Sequence, residues 1–87
     1  NKRILVADDF FTMRGILKRI LKELGYHQVE EAENGQIALC MLRTQPYDCL
    51  ITDWNMPELS GIELLKQVRQ DEQLKKLPVI IITAEAK

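Results

Sequence analysis

Four apolar residues in succession, Ile4-Leu5-Val6-Ala7, are too few for a helix and predict a strand buried on both faces. Met13, Ile16, Leu17, Ile20, Leu21 and Leu24 follow in steps of one and three, with Arg14, Lys18, Arg19, Lys22 and Glu23 between them. That spacing predicts an amphipathic helix, and Gly25 is placed to end it as a C-cap. QVEEA, residues 28–32, reads as a weaker strand whose two glutamates suit a sheet edge. Asn34 can cap a second helix through Ile37, Ala38, Met41 and Leu42, with Pro46 closing the connection. CLIT, residues 49–52, is a third strand, apolar almost throughout. Ser60-Gly61-Ile62-Glu63 has capping-box spacing, so a third helix begins there, with Ile62, Leu65 and Val68 as its stripe and Leu64 beside it. After Pro78 comes VIIIT, residues 79–83, the most apolar strand of all.

Strands and helices thus alternate as β-α-β-α-β-α-β with short connections. Such a chain forms a doubly wound α/β fold: a parallel sheet, helices on both faces, right-handed crossovers. Eighty-seven residues suffice for one small domain. Asn1 in place of an initiator Met implies a processed or trimmed start.

Charge removes some function classes. Twelve basic against thirteen acidic residues leave a net charge of −1, which argues against a general nucleic-acid or anionic-membrane binder. No apolar run reaches membrane-spanning length, and no basic-then-apolar leader opens the chain. Cys40 and Cys49 are not a CxxC pair, and each lies in an apolar stretch. They read as reduced, buried thiols of a cytoplasmic protein.

The candidate chemistry lies at strand ends. Asp8-Asp9 follow the first strand, Asp53 the third, and Thr83 ends the fourth. Parallel strands present all their carboxyl ends at one rim, where open α/β sheets bind ligands. Like charges about 4 Å apart repel by about 4 kcal/mol at an effective dielectric of about 20, so three carboxylates there call for a raised pKa, wide spacing or a cation. Oxygen-only ligands with room for a phosphate favour Mg²⁺ over a Ca²⁺ cage. EF-hand spacing, HExxH and the P-loop GxxxxGK[ST] are all absent.

Asp8-Asp9, Asp53-Trp54-Asn55-Met56-Pro57 with Gly61 beyond, and Thr83-Ala84 resemble the two-component receiver domain. DDFFTMR, LKELGY, VEEAENG, GIELLKQVR and TAEAK extend the resemblance over all 87 residues, most closely to single-domain chemotaxis regulators. It implies a flavodoxin-like fold and a phosphoacceptor signalling domain rather than an enzyme in the ordinary sense. On it, Asp53 accepts a phosphoryl group from a histidine kinase. Asp9 and Asp53 bind Mg²⁺ directly, Asp8 through a water, and Asn55 through its backbone carbonyl. Thr83 hydrogen-bonds the phosphoryl group. The implied output partner is a flagellar motor switch protein.

Residues 1–87 then form a receiver lacking its last α-β-α unit, which in the family carries an essential lysine and a switch aromatic. VIIIT would be a bare apolar edge, unless the chain belongs to a longer protein or exchanges strands with a second copy. Three other readings stay open: the N-terminal receiver of a longer regulator, a Mg²⁺-dependent phosphatase of the haloacid-dehalogenase type, and an unphosphorylated interaction domain. The phosphatase expects D-x-D, whereas Asn55 stands two residues after Asp53.

Several residues have plainer readings. Asp8-Asp9 could cap the first helix. Trp54 is either a packed loop aromatic or a shield for the pocket. Met56-Pro57 stiffens the loop. His27 reads as solvated surface, as does the basic set Arg14, Lys18, Arg19 and Lys22, for which kinase docking is the lesser reading. Glu85 pairs with Asn55 by analogy alone.

Overall fold

Continuous apolar strands require cover on both faces, and the chain supplies it from alternate sides. The computed structural model describes residues 2–83. Their order is β1 (Arg3–Ala7), α1 (Phe11–Glu23), β2 (Gln28–Ala32), α2 (Gly35–Thr44), β3 (Cys49–Asp53), α3 (Gly61–Gln70) and β4 (Val79–Ile82). The strands form one parallel sheet in the order β2-β1-β3-β4. This is the doubly wound α/β architecture that the alternation predicts, with the flavodoxin-like strand order that the resemblance implies.

Successive strand residues point to opposite faces and so join different cores. Leu5, Ala7 and Leu50 pack with Ala38, Leu39 and Leu42 of α2 and Leu64 and Val68 of α3. Ile4, Val6 and Ile51 turn the other way and meet Leu21 and Leu17 of α1. Each large side chain fully buried in this way contributes about 1.5–3 kcal/mol of hydrophobic stabilisation.

The caps fall where expected. The Asn34 side chain accepts from the Ile37 amide at 2.8 Å and Ser60 from the Glu63 amide at 3.2 Å. Gly25 has φ +100°, its amide donating to Lys22 and the Tyr26 amide to Leu21. That is a Schellman ending, whose left-handed residue favours glycine.

Three expectations need correction. On α3 the buried face is Gly61, Leu64 and Val68, while Ile62 is exposed and Leu65 half-buried. Gly61 lies tight against the backbone of Asp53 and Trp54, which rotates the 61/64/68 face inward. On α1 only Leu21 is fully buried, with Leu17 packed beside it; Ile16, Ile20 and Leu24 are exposed. Both residues of the inner row, 17 and 21, sit one helical step from the exposed row 16, 20 and 24. Cys40 is exposed and Cys49 half-buried, so the thiols are free but not both interior. The inward face of α2 is Gly35, Ala38, Leu39 and Leu42, which leaves position 40 outside.

The two sheet edges differ. At β2, Glu30 pairs with Arg3 at 2.6 Å and accepts from the Tyr47 hydroxyl, while Glu31 pairs with Arg14 and Lys18. β4 forms the other edge of the described sheet and leaves Ile80 half exposed. Among the described residues, no helix is long and apolar enough to cross a membrane.

Candidate functional site

The register Ala7↔Thr52 brings the ends of β1 and β3 level, so Asp8 emerges beside Asp53. Carboxylate oxygens of Asp8, Asp9 and Asp53 lie within 4.8 Å of one another. Asp8 is 1% exposed and Asp53 8%, whereas Asp9 is open to solvent.

Asp8 is held from two sides. Its Oδ1 accepts from the Phe10 amide at 2.9 Å, turning the chain into α1, and its carbonyl accepts from Arg14 Nη1 at 2.6 Å. The N-cap of α1 is Phe10, which makes no side-chain cap bond. Asp8 therefore shapes the entry to the helix while its carboxylate belongs to the cluster.

Asp53 Oδ1 accepts from the Trp54 amide at 2.9 Å. Burial pushes the Asp53 carboxyl above the usual carboxylate range, and the Asp8 charge adds to this; the Trp54 and Asn55 amides oppose it, while Asp9 pushes the same way. Such a group gains from a cation placed between it and its neighbours.

Behind Asp53 runs the loop carrying Asn55. Met56 is buried in the core shared with α2 and α3, while Asn55, Pro57 and Glu58 are exposed. The Leu59 amide reaches the Pro57 carbonyl at 2.8 Å across Glu58, whose φ is +73°. This three-residue turn is strained for a residue with a side chain. Gly61 closes the loop, its amide donating to the Trp54 carbonyl at 3.0 Å. Trp54 is 44% exposed, which sets aside the packed-aromatic reading. Thr83 stands one residue beyond the Asp53↔Ile82 pairing, exposed at the same rim. Glu85 lies outside the described residues, and His27 is exposed as expected.

Arg14 was read as solvated surface, and the structure corrects this. Its side chain is only 11% exposed, its Nε pairs with Glu31 at 2.9 Å, and its Nη1 holds the Asp8 carbonyl. Helical periodicity put it on the polar face; its partners are Asp8, just past β1, and Glu31 of β2, which no local pattern reveals. The available signal was the pair of glutamates in QVEEA, read as marking a sheet edge and not as partners for a cation.

The cluster offers carboxylate oxygens alone, the donor set of a hard cation. Residues 4–87 match the family described as response regulator receiver domain. The chain belongs to that family.

Within it the receiver is CheY-like. It is 54% identical over 87 residues to chemotaxis protein CheY-3 of Vibrio cholerae, covering all of this chain and 67% of that protein. It is also 54% identical over 85 residues to chemotaxis protein CheY of Pseudomonas aeruginosa, covering 98% of this chain and 68% of the relative. Among solved structures it superposes on the response regulator protein TrrA of Thermotoga maritima, in complex with Mg²⁺-BeF, with a TM-score of 0.90 at 38% identity. That match covers 99% of this receiver and 72% of TrrA. Receiver domains are signalling domains rather than enzymes in the ordinary sense, and this places the chain in a two-component phosphoacceptor role.

Proposed function

We propose that Asp53 accepts a phosphoryl group from the phosphohistidine of a histidine kinase, with Mg²⁺ bound at the carboxylate cluster. The observation that carries this is the convergence of Asp8, Asp9 and Asp53, with oxygens within 4.8 Å and the Asp53 carboxyl shifted upward by burial and by Asp8. Asp9 and Asp53 would hold the ion directly, with the Asn55 carbonyl, and Asp8 through a water. When bound, the ion supplies charge neutralisation at the acceptor and phosphate oxygens.

The chain's own residues do the rest. A carboxylate ionised at neutral pH needs no general base to act as a nucleophile. The Trp54 amide fixes Oδ1 of Asp53 and so orients the attacking group. An Asp53 oxygen forms the new P–O bond as the P–N bond to the donor imidazole breaks. The bonding electrons leave with the imidazole, and an acyl phosphate remains on Asp53. Phosphoryl transfer depends chiefly on such positioning and on charge stabilisation. Thr83, at the same rim, donates its hydroxyl to the transferred group.

Two relatives carry chemotaxis names, which supports a cytoplasmic chemotaxis regulator with a flagellar motor switch protein as output. Use as the N-terminal receiver of a longer regulator is the alternative. The same site serves both.

The test uses the full-length protein with Mg²⁺ and acetyl phosphate, read by intact mass. A phosphate-sized gain that is lost in Asp53→Asn is the expected result. No gain at saturating donor sinks the assignment.

A further inference from the structure

We propose that Gly35, on a helix that contributes nothing to the carboxylate cluster, is a positioning residue for the metal-holding wall formed by the loop after Asp53. The proposal rests on the metal-site reading above and extends it to a residue in α2. Gly35 is the first residue of α2 and is buried. A Cβ built there would lie 2.7 Å from Leu59 Cβ, 2.9 Å from the Leu59 carbonyl carbon, and closer still to the Leu59 oxygen. The glycine therefore lets the backbone of the 54–60 loop seat directly on the helix.

Which side yields to an added methyl group follows from how each is held. The first turn of α2 is fixed by the Asn34 cap, by the Ala38 amide bonded to the Asn34 carbonyl, and by the fully buried Ala38. The loop is anchored by the buried Met56 but is softer beyond it: Pro57 and Glu58 are exposed, Leu59 is half-buried against the core, and Glu58 already sits at φ +73°. The loop moves. Its ends carry that movement to the site, because the Gly61 amide is bonded to the Trp54 carbonyl and the Trp54 amide to Asp53 Oδ1. Gly61 is itself pinned, since a Cβ on it would collide with the Asp53 carbonyl group and come within 2.8 Å of Trp54 Cα. Displacement at Leu59 is thus delivered toward Trp54, the residue that precedes Asn55.

Mg²⁺ demands near-ideal octahedral geometry, whereas Ca²⁺ tolerates irregular, flexible coordination. A displaced wall penalises Mg²⁺ selectively. A general loss of stability has no reason to distinguish the two ions.

The test compares full-length Gly35→Ala, the unvaried protein and Val68→Ala, a core-cavity control, by Mg²⁺ and Ca²⁺ titration of Trp54 fluorescence. The amide resonances of Trp54 and Asn55 are recorded without metal. Gly35→Ala should shift those amides and weaken Mg²⁺ about tenfold, the lower end of what outer-shell changes do to metal affinity. Ca²⁺ affinity should change less than about threefold. Val68→Ala should leave both affinities in place. Equal weakening of the two ions, or no change in either, overturns the proposal. So does loss of folding by Gly35→Ala both alone and in a Gly15→Ala background, because Gly35 would then serve the fold and not the wall. If the unvaried protein binds no Mg²⁺, the metal reading fails instead. The metal-free amide shifts then decide the brace by their presence or absence.

Discussion

Asp53 carries its charge at a cost where it stands. Burial and the Asp8 charge raise its carboxyl above the ordinary range, so the ionised form is held against resistance at neutral pH. Asp53→Asn keeps the shape and removes the charge. Without metal it should therefore raise unfolding free energy by on the order of 1–3 kcal/mol, bounded by the repulsion of close like charges. Denaturant titration in the presence of a chelator reads this directly. A lowered midpoint would mean that the acids are well solvated. Saturating Mg²⁺ should narrow or reverse the difference, because an ion at about 100 times its dissociation constant adds about 2.7 kcal/mol to the unvaried protein alone. Arg14 poses the converse case, a half-buried cation whose bonds tie Asp8 to Glu31. Arg14→Ala should cost about 1.5–3 kcal/mol, the range for hydrogen bonds to charged groups.

Each helix shows which of its features are local. Asn34, Ser60 and Gly25 were legible in the sequence because a cap joins residues within one turn. Gly15 is equally local: it sits inside α1, and a Cβ there meets nothing within 4 Å. Gly15→Ala should stabilise the protein by about 0.5–1 kcal/mol, since glycine in a helix interior loses more backbone freedom than alanine. Thermal unfolding of the pair measures it, and a lowered Tm would reveal an unseen contact. Helix faces were only half legible. Periodicity marks an apolar stripe but not its rotation, so Ile62 was placed inward and Leu64 beside the stripe. The close contact of Gly61 with the Asp53 backbone, a tertiary fact, decided the matter. For the same reason Arg14 looked like surface. The acidic cluster was legible because strand ends in a parallel sheet share one rim, whatever the details of packing. Its spacing, and the seating of Leu59 on Gly35, were not.

At the scale of the whole molecule, acidic groups pull stability in opposite directions as pH changes. Glu30 is held below the usual range first by the Tyr47 hydroxyl and then by Arg3. Tyr47, pushed up to about 12 by burial and by Glu30, keeps its proton throughout. Burial pushes Glu31 up, but hydrogen bonds from Arg14 and Lys18 outweigh it and the net direction is down. A lowered carboxyl stabilises the fold above its unfolded pKa, and that contribution disappears as pH falls through the folded pKa. Asp53 is raised, so the native state takes up its proton before the unfolded chain does, and acidification first adds stability. Stability of the metal-free protein should therefore rise as pH drops from neutrality, then fall once Glu30 and Glu31 protonate below an ordinary carboxylate pKa of about 4. Denaturant midpoints measured across that span test the order of events. Asp53→Asn should abolish the rise and keep the fall, while Glu31→Gln should keep the rise and soften the fall. With Mg²⁺ at the proposed site the rise should vanish even in the unvaried protein, because the proton and the ion would compete for one carboxylate. A monotonic fall without metal would show that the β2 edge alone governs acid stability, and that the three aspartates stand too far apart in solution to repel.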